Sequence, residues 1–334
     1  MTEHKMDADY GASALDRGVQ GLLGKGVDRT DGFAKVTGAA RYAADQRPKG
    51  KLAYGYAVTA TIAVGTVKSV DTIEAALMPG VITIITDDPR LPSESPNIGA
   101  DMAPRFDGVV ESYGQIVALV VAESFEQARA AAMAVTVDYA PQKGKFDTMA
   151  NVDSAKPPHE GSMLPDAIKG DVDAAMAAAD VTVDVTYSTP YQVHAAMEPH
   201  AAVAEWDGDD LTLYGSIQIF RAARPLLAKS LGIDIARIRM LSPYIGGGFG
   251  GKIGGPEMVL ASIAAQAVGR PVRVAMTRQQ LFHSIFGRSD THQRIRLAAT
   301  ADGKLTGMAQ DSVVSQKVGV SFFEPVALGA LSLY

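Results

Sequence analysis

The chain has 334 residues, 47% of them hydrophobic and 20% charged, with a net charge of −6 and no cysteine. This is the balance of a soluble fold with two or three cored domains, and it offers no basic footprint for nucleic acid or an anionic membrane. Lacking thiolates, the chain has no disulfide, thiolate zinc site or iron–sulfur ligation of its own. No run reaches the roughly 18 apolar residues of a membrane span. Met1 to Arg17 is polar, without an apolar h-region or twin arginine, so no export address is expected on this chain.

After a polar leader over 1–27, short strand and helix signals alternate from about Asp28 to Tyr139. Ala53 to Thr59 reads as a strand, Thr72 to Met78 as a helix stopped by Pro79-Gly80, and Val81 to Thr86 as a β-branched strand. A loop rich in Pro, Ser and Asp covers Asp87 to Asp107. The continuously apolar Ile116 to Ala122 predicts a buried strand. Ser124-x-x-Gln127 fits a capping box opening a helix over Phe125 to Ala134, and Val135 to Tyr139 returns as a strand.

These elements define a first region at 28–142. A linker at 143–170, with Lys156-Pro157-Pro158, separates it from a second region at 171–334. There strands dominate. Val181 to Tyr187 alternates, and Ala201 to Trp206 and Leu211 to Tyr214 flank Asp207-Gly208-Asp209-Asp210 as a hairpin. Phe220 to Leu231 reads as a helix broken at Pro225 or starting just before it, and ended by Gly232. Ile295 to Thr300 and Leu305 to Val314 form a second hairpin around Asp302-Gly303. No internal repeat is present, and the sequence closes on the apolar Leu331-Ser332-Leu333-Tyr334.

The most informative segment is Ser242-Pro243-Tyr244-Ile245-Gly246-Gly247-Gly248-Phe249-Gly250-Gly251-Lys252. Glycines allow positive φ and close approach of backbone N–H groups to a ligand. The segment lies between a strand-like stretch, Ile238 to Leu241, and a helix-like one, Glu257 to Val268. A helix N-terminus favours anions, so an oxygen-rich ligand such as phosphate is indicated. A P-loop reading fits Gly246-x4-Gly251-Lys252 but requires Ser or Thr next, where Ile253 stands. A dinucleotide reading fits Gly246, Gly248 and Gly251 but requires an acidic residue about 20 positions on, and Gly269 to Leu281 contains none. A loop that merely permits close packing is the plain alternative.

A third ligand follows from resemblance. Ile-Gly-Gly-Gly-Phe-Gly-Gly-Lys at 245–252 resembles the first molybdopterin-binding loop of the molybdenum hydroxylases, the xanthine dehydrogenase and aldehyde oxidase family. Other segments agree in order: Arg29-x-Asp31-Gly32-x-x-Lys35-Val36-Thr37-Gly38-x-Ala40-Arg41-Tyr42, Gln115 to Glu123, His194-x-x-Met197-Glu198-Pro199-His200, and the Gln218 segment. The likeness extends over roughly residues 26 to 300 and is strongest to the molybdenum subunits of periplasmic-type aldehyde oxidoreductases. It implies an α+β chain: an α/β hammerhead domain at 28–142 followed by the N-terminal part of a molybdopterin-binding domain at 171–334.

The resemblance also implies a chemistry, hydroxylation at carbon with water as oxygen source and two electrons passed to molybdenum. Gln218, Gly247, Gly248, Phe249, Gly250, Gly251 and Lys252 are the implied cofactor-binding residues, with the neutral Gln218 amide near molybdenum. Phe249, Ile253 and Glu198 are implied to line the substrate pocket. Purine-oxidising relatives carry glutamate where Ile253 stands, so aldehydes or apolar N-heterocycles are expected. Histidine and carboxylate at His194, Glu198 and His200 admit a zinc reading, but the family uses this segment without zinc, and no direct metal ligand is expected.

The implied cofactor is molybdenum-molybdopterin, with a cytosine dinucleotide form among those admitted. FAD and iron–sulfur clusters would lie on partner subunits, since no cysteine is available. Relatives are about twice as long, and their catalytic glutamate has no counterpart here, so a complementary C-terminal molybdopterin domain is expected. The alternative is a non-catalytic fragment or binding module that holds no cofactor alone. A cytoplasmic location, or a periplasmic one by co-export with a signal-bearing partner, is expected.

Overall fold

The computed structural model describes residues 26–94, 103–157, 167–285, 287–315 and 326. Most of the polar leader, residues 95–102 of the Asp87 to Asp107 loop, residues 158–166 of the linker and the apolar end at Leu331 to Tyr334 lie outside the described residues. Two compact units are present, residues 1–40 and 41–334. In the first, the helix α1 (Gly32–Val36) is preceded by Asp31, which pairs with Arg29 at 2.6 Å and Lys35 at 2.7 Å. Those two cations bring the Asp31 carboxyl down to about 2.

The second unit carries the remaining elements. In chain order they begin with β1 (Ala53–Thr59), β2 (Gly65–Asp71), α2 (Ile73–Leu77), β3 (Val81–Ile85), β4 (Val109–Val110), β5 (Ile116–Ala122), α3 (Phe125–Ala134) and β6 (Thr136–Pro141). There follow α4 (Val172–Ala178), β7 (Val181–Thr189), β8 (Ala201–Asp207), β9 (Asp210–Gly215), α5 (Phe220–Leu231), β10 (Ile238–Leu241), α6 (Pro256–Val268), β11 (Val272–Ala275), α7 (Arg278–Ser284), β12 (Thr291–Ala299) and β13 (Leu305–Val314).

One seven-stranded sheet, ordered β10-β9-β8-β11-β1-β5-β3, takes strands from both sides of the 143–170 segment. The join is the parallel pairing of β1 with β11, Ala53 opposite Val272 and Gly55 opposite Val274. All seven residues of β5 are buried. Ile116, Leu119 and Val121 face a core shared with Met258, Leu260 and Ile263 of α6, while Val117, Ala118 and Val120 face Ala131 and Ala132 of α3. Two covered faces explain an apolar run without alternation, and each fully buried Leu, Ile or Met contributes roughly 1.5–3 kcal/mol. Two three-stranded sheets, β13-β12-β7 and β4-β2-β6, complete the unit.

Several local readings are modified. Ser124 caps α3 by accepting from the Gln127 N–H at 3.2 Å, but among the described residues the reciprocal Gln127 side-chain bond is missing. That side chain lies instead against Gly80, whose hydrogen leaves room for it. A full capping box is formed by Thr277 and Gln280, opening α7. Pro225 neither breaks nor starts α5 but sits inside it, forgoing one backbone hydrogen bond. Gly232 ends that helix at φ 70°, as its sequence position predicts.

Candidate functional site

The site is assembled around residues 246–252, which connect β10 to α6. Gly247 and Gly250 have φ of 92° and 94°, and Phe249 between them has φ 54°. Ala195, at φ 43°, is the other non-glycine residue with positive φ among the described residues, and it belongs to the His194–His200 segment that faces this loop. Left-handed backbone at a side-chain-bearing residue costs about 1 kcal/mol or more, and here both instances occur at one place.

Three side chains hold the loop from beneath. Glu198 Oε2 accepts from the Gly246 N–H at 2.8 Å and from the Lys252 ammonium at 2.9 Å, while its Oε1 accepts from the Ala43 N–H at 3.4 Å. Lys252 Nζ also donates to the Glu198 carbonyl at 2.8 Å. The ammonium is 0% exposed and the Glu198 side chain 10%. Burial brings the Lys252 pKa down, against the pull of Glu198. His200 contacts the Gly251 carbonyl through Nε2 at 2.9 Å. A carbonyl only accepts, so Nε2 carries the proton and the buried Nδ1 is bare and unpartnered. Burial lowers the His200 pKa to about 4, so the ring is neutral.

Gln218 works from the other side. Its Oε1 accepts from the N–H of Gly250 at 3.0 Å and of Lys252 at 3.1 Å, and its own N–H donates to the Lys252 carbonyl at 2.7 Å. Two donors on Oε1 settle which way the amide points, and its NH2 is left as the donor available to a ligand. A Cβ on Gly248 would overlap the Gln218 carboxamide and one on Gly246 would overlap Glu198, while one on Gly251 would lie 2.8 Å from His194 Nδ1. Glycine is required at these positions by close approach of the chain to itself.

Among the described residues, the N–H groups of Gly247, Gly248 and Phe249 have no acceptor within the protein. Three successive free donors beside the Gln218 NH2 form a donor set suited to an oxygen-rich group. The helix N-terminus that follows is occupied differently from the anion-site reading. Glu257, in the first turn of α6, is 1% exposed and places its own carboxyl there. The anion-binding capacity therefore lies in the loop N–H groups. Phe249 is 66% exposed and Ile253 half-buried.

The structure thus brings Glu198, Gln218 and Lys252 together around residues 246–252. Sequence reasoning did not pair Glu198 with Lys252 or assign any part to Arg278 and Glu257. Arg278 donates to the carbonyls of Ala196 at 2.6 Å and Met197 at 3.2 Å, bracing the segment that carries Glu198. A lone carboxylate opening the otherwise apolar α6 was the available signal for Glu257.

Residues 155–330, more than half the chain, match the molybdopterin cofactor-binding domain, and residues 37–143 match the aldehyde oxidase and xanthine dehydrogenase a/b hammerhead domain. The chain belongs to the xanthine dehydrogenase and aldehyde oxidase family of molybdenum hydroxylases. Within this family it is 40% identical over 317 residues to the aldehyde oxidoreductase molybdenum-binding subunit PaoC of Escherichia coli, covering 92% of this chain and 42% of that protein. It is 31% identical to a putative xanthine dehydrogenase molybdenum-binding subunit, XdhA, of the same organism, covering 85% and 40%.

Among solved structures, CO dehydrogenase from Oligotropha carboxidovorans superposes with a TM-score of 0.73 at 26% identity, covering 86% of this chain and 39% of that one. Aldehyde oxidoreductase from Desulfovibrio gigas gives 0.70 at 27%, covering 86% and 34%. The chain therefore spans about two-fifths of the length of these molybdenum hydroxylase relatives. The hammerhead domain and the molybdopterin-binding fold are both present in it.

Proposed function

We propose that this chain is the portion of a molybdenum hydroxylase that grips the molybdopterin cofactor, in an enzyme hydroxylating aldehydes or N-heterocycles with water as oxygen donor. The observation that carries this reading is the donor set: the free N–H groups at 247–249 and the Gln218 NH2, turned outward because Oε1 is already engaged. When bound, the molybdenum cofactor supplies the two-electron oxidation.

The chain's own residues orient and select. The loop N–H groups fix the cofactor's oxygen-bearing face, and the Gln218 amide donates one neutral hydrogen bond near the metal without adding charge. Phe249 shapes the entrance. Ile253 presents no carboxylate to a purine, which favours aldehydes and apolar heterocycles. Lys252 contributes through the loop, since its ammonium is committed to Glu198. Glu198 likewise acts beneath the loop rather than as a pocket wall.

The proton-accepting base of this reading is supplied by a complementary C-terminal portion, and electrons leave through iron–sulfur and FAD subunits. The naming of PaoC and XdhA as molybdenum-binding subunits supports this division of labour, as does the chain's lack of cysteine. We place the change from hammerhead to cofactor-binding region within 143–170. Co-expression with the C-terminal portion of a relative tests the proposal: bound molybdenum with aldehyde-dependent dye reduction is expected. Folded protein without molybdenum would favour a binding module instead.

A further inference from the structure

Where β1 and β11 join the two matched regions, their pairing is short, and a side chain takes over beyond it. β1 runs to Thr59, but it pairs with β11 only as far as Gly55 opposite Val274, and β11 ends at Ala275. Two residues further on, the Ala57 carbonyl accepts from Gln280 Nε2 at 3.0 Å, a buried contact. The other end of the same carboxamide caps α7, with Gln280 Oε1 accepting from the Thr277 N–H at 2.9 Å. Gln280 is buried and both ends of its amide are engaged, so the first turn of α7 is fastened to β1.

That turn also carries Arg278, whose guanidinium donates to the carbonyls of Ala196 at 2.6 Å and Met197 at 3.2 Å. These carbonyls directly follow Ala195, whose φ of 43° persists only where the surroundings over-determine it. They directly precede Glu198, which holds Gly246 by two bonds. The Glu198 N–H donates to the Gly246 carbonyl at 3.0 Å, and Glu198 Oε2 accepts from the Gly246 N–H at 2.8 Å.

We propose that the first turn of α7 is a strut between β1 and the glycine loop, with Gln280 and Arg278 as its positioning residues. Gln280 anchors the turn on the Ala57 carbonyl, and Arg278 fixes the 195–198 segment from which Glu198 holds Gly246. β1 lies in the region matching the hammerhead domain and α7 in the region matching the cofactor-binding domain, so the strut sets a strand of one against the loop of the other. A planar guanidinium suits this task because it spans two successive carbonyls, where an ammonium is a point donor. The consequence for the cofactor rests on the loop being its cradle; the strut itself does not.

Amide hydrogen exchange on the 334-residue chain tests the strut without cofactor, and so independently of the cradle reading. In Arg278→Met, protection of the Gly246 N–H is expected to fall about tenfold, as for the loss of a charge-assisted hydrogen bond. The Gly250 N–H, held by Gln218 from the other side, and the β5 amides keep their protection. Arg278→Lys retains the charge and one donor and should recover part of the loss. Gln280→Glu keeps the oxygen that caps α7 but loses the donor to Ala57, and Gly246 should again lose protection selectively. Unchanged Gly246 protection in either Arg278→Met or Gln280→Glu overturns the proposal. So does a loss shared equally by Gly246, Gly250 and the β5 amides, which is general destabilisation, and so does an Arg278→Lys variant no better protected than Arg278→Met.

Discussion

Lys252 Nζ lies 2.9 Å from Glu198 Oε2 with the ammonium wholly out of solvent, and this contact ties the glycine loop to the segment leading into β8. Removing one member of a buried pair strands the other charge, a loss of about 3–5 kcal/mol. Glu198 keeps its backbone donors at Gly246 and Ala43, so Lys252→Met should lie near 3 kcal/mol in urea unfolding. Adding Glu198→Gln removes the stranded charge while leaving an acceptor oxygen, and the double variant should be more stable than the single one. A single-variant loss under about 1 kcal/mol would mean that the pair does not hold the loop.

Gln218 holds the loop through Oε1, and substitution can separate that role from the one proposed for its NH2. Gln218→Glu retains an oxygen for the N–H groups of Gly250 and Lys252 but loses the NH2 and adds a charge. Gln218→Ala loses both contacts, about 1–2 kcal/mol by thermal or urea unfolding. In the completed enzyme, the proposed place of the amide beside the reacting centre predicts that both changes lower kcat more than they raise KM. An effect confined to KM would remove Gln218 from that role.

The glycines of the loop should differ from glycines that serve only conformation. Gly248→Ala drives a methyl into the Gln218 carboxamide, and is expected to abolish molybdenum retention while the fold survives. Gly232→Ala, at the left-handed end of α5, meets nothing within 4 Å and should lose about 1 kcal/mol by urea unfolding with molybdenum content unchanged. Equal effects of the two on metal content would mean that the loop glycines are structural only.

Much of this fold was legible from local pattern. β1, β5 and α3 fall where their runs predict, because a strand buried on both faces and a capped helix announce themselves over seven to ten residues. The Asp207–Asp210 turn closes the β8–β9 hairpin as its composition implies. What stayed hidden is long-range. The β1–β11 pairing joins Ala53 to Val272, and no periodicity encodes a partner so distant in sequence.

The same limit applies to the site. The glycine loop was visible because backbone demands restrict residue type, and Gln218 and Glu198 became visible through resemblance. That Glu198 and Lys252 neutralise each other across 54 positions was not. Charge pairing leaves no local trace, and the zinc reading of His194, Glu198 and His200 arises from the same blindness: spacing shows proximity in sequence, whereas partners decide chemistry. Glu198 is engaged by two N–H groups and an ammonium, and the His200 Nε2 by a carbonyl.

Ala195 offers a test of stored strain. Its φ of 43° is unfavourable for a side chain bearing Cβ, so Ala195→Gly should be neutral or stabilising by up to about 1 kcal/mol in urea unfolding. Exposed alanines elsewhere should instead lose stability on conversion to glycine. A clear destabilisation at 195 would indicate that the Ala195 methyl makes a contact outweighing its backbone strain.

His200 sets an acid limit whose sign follows from its burial. Its pKa is lowered from 6.5 to about 4 in the folded chain, so below pH 6.5 the unfolded chain takes up a proton that the folded ring refuses. The stabilisation is therefore present above about pH 6.5 and is lost as pH falls toward 4, amounting to about 3 kcal/mol at full extent. Glu257 acts in the opposite sense: with a pKa raised from 4.5 to about 7, its contribution is present below 4.5 and is lost as pH rises toward 7. The two slopes oppose each other over the shared window, so the parent's stability should change little from pH 5 to pH 6.5. Each single variant should expose the other group. His200→Gln should lose stability as pH rises through this window, and Glu257→Gln should gain it. Urea midpoints of the three proteins at pH 5, 6 and 7 measure this directly, and parallel profiles would show that neither buried group changes its protonation on folding.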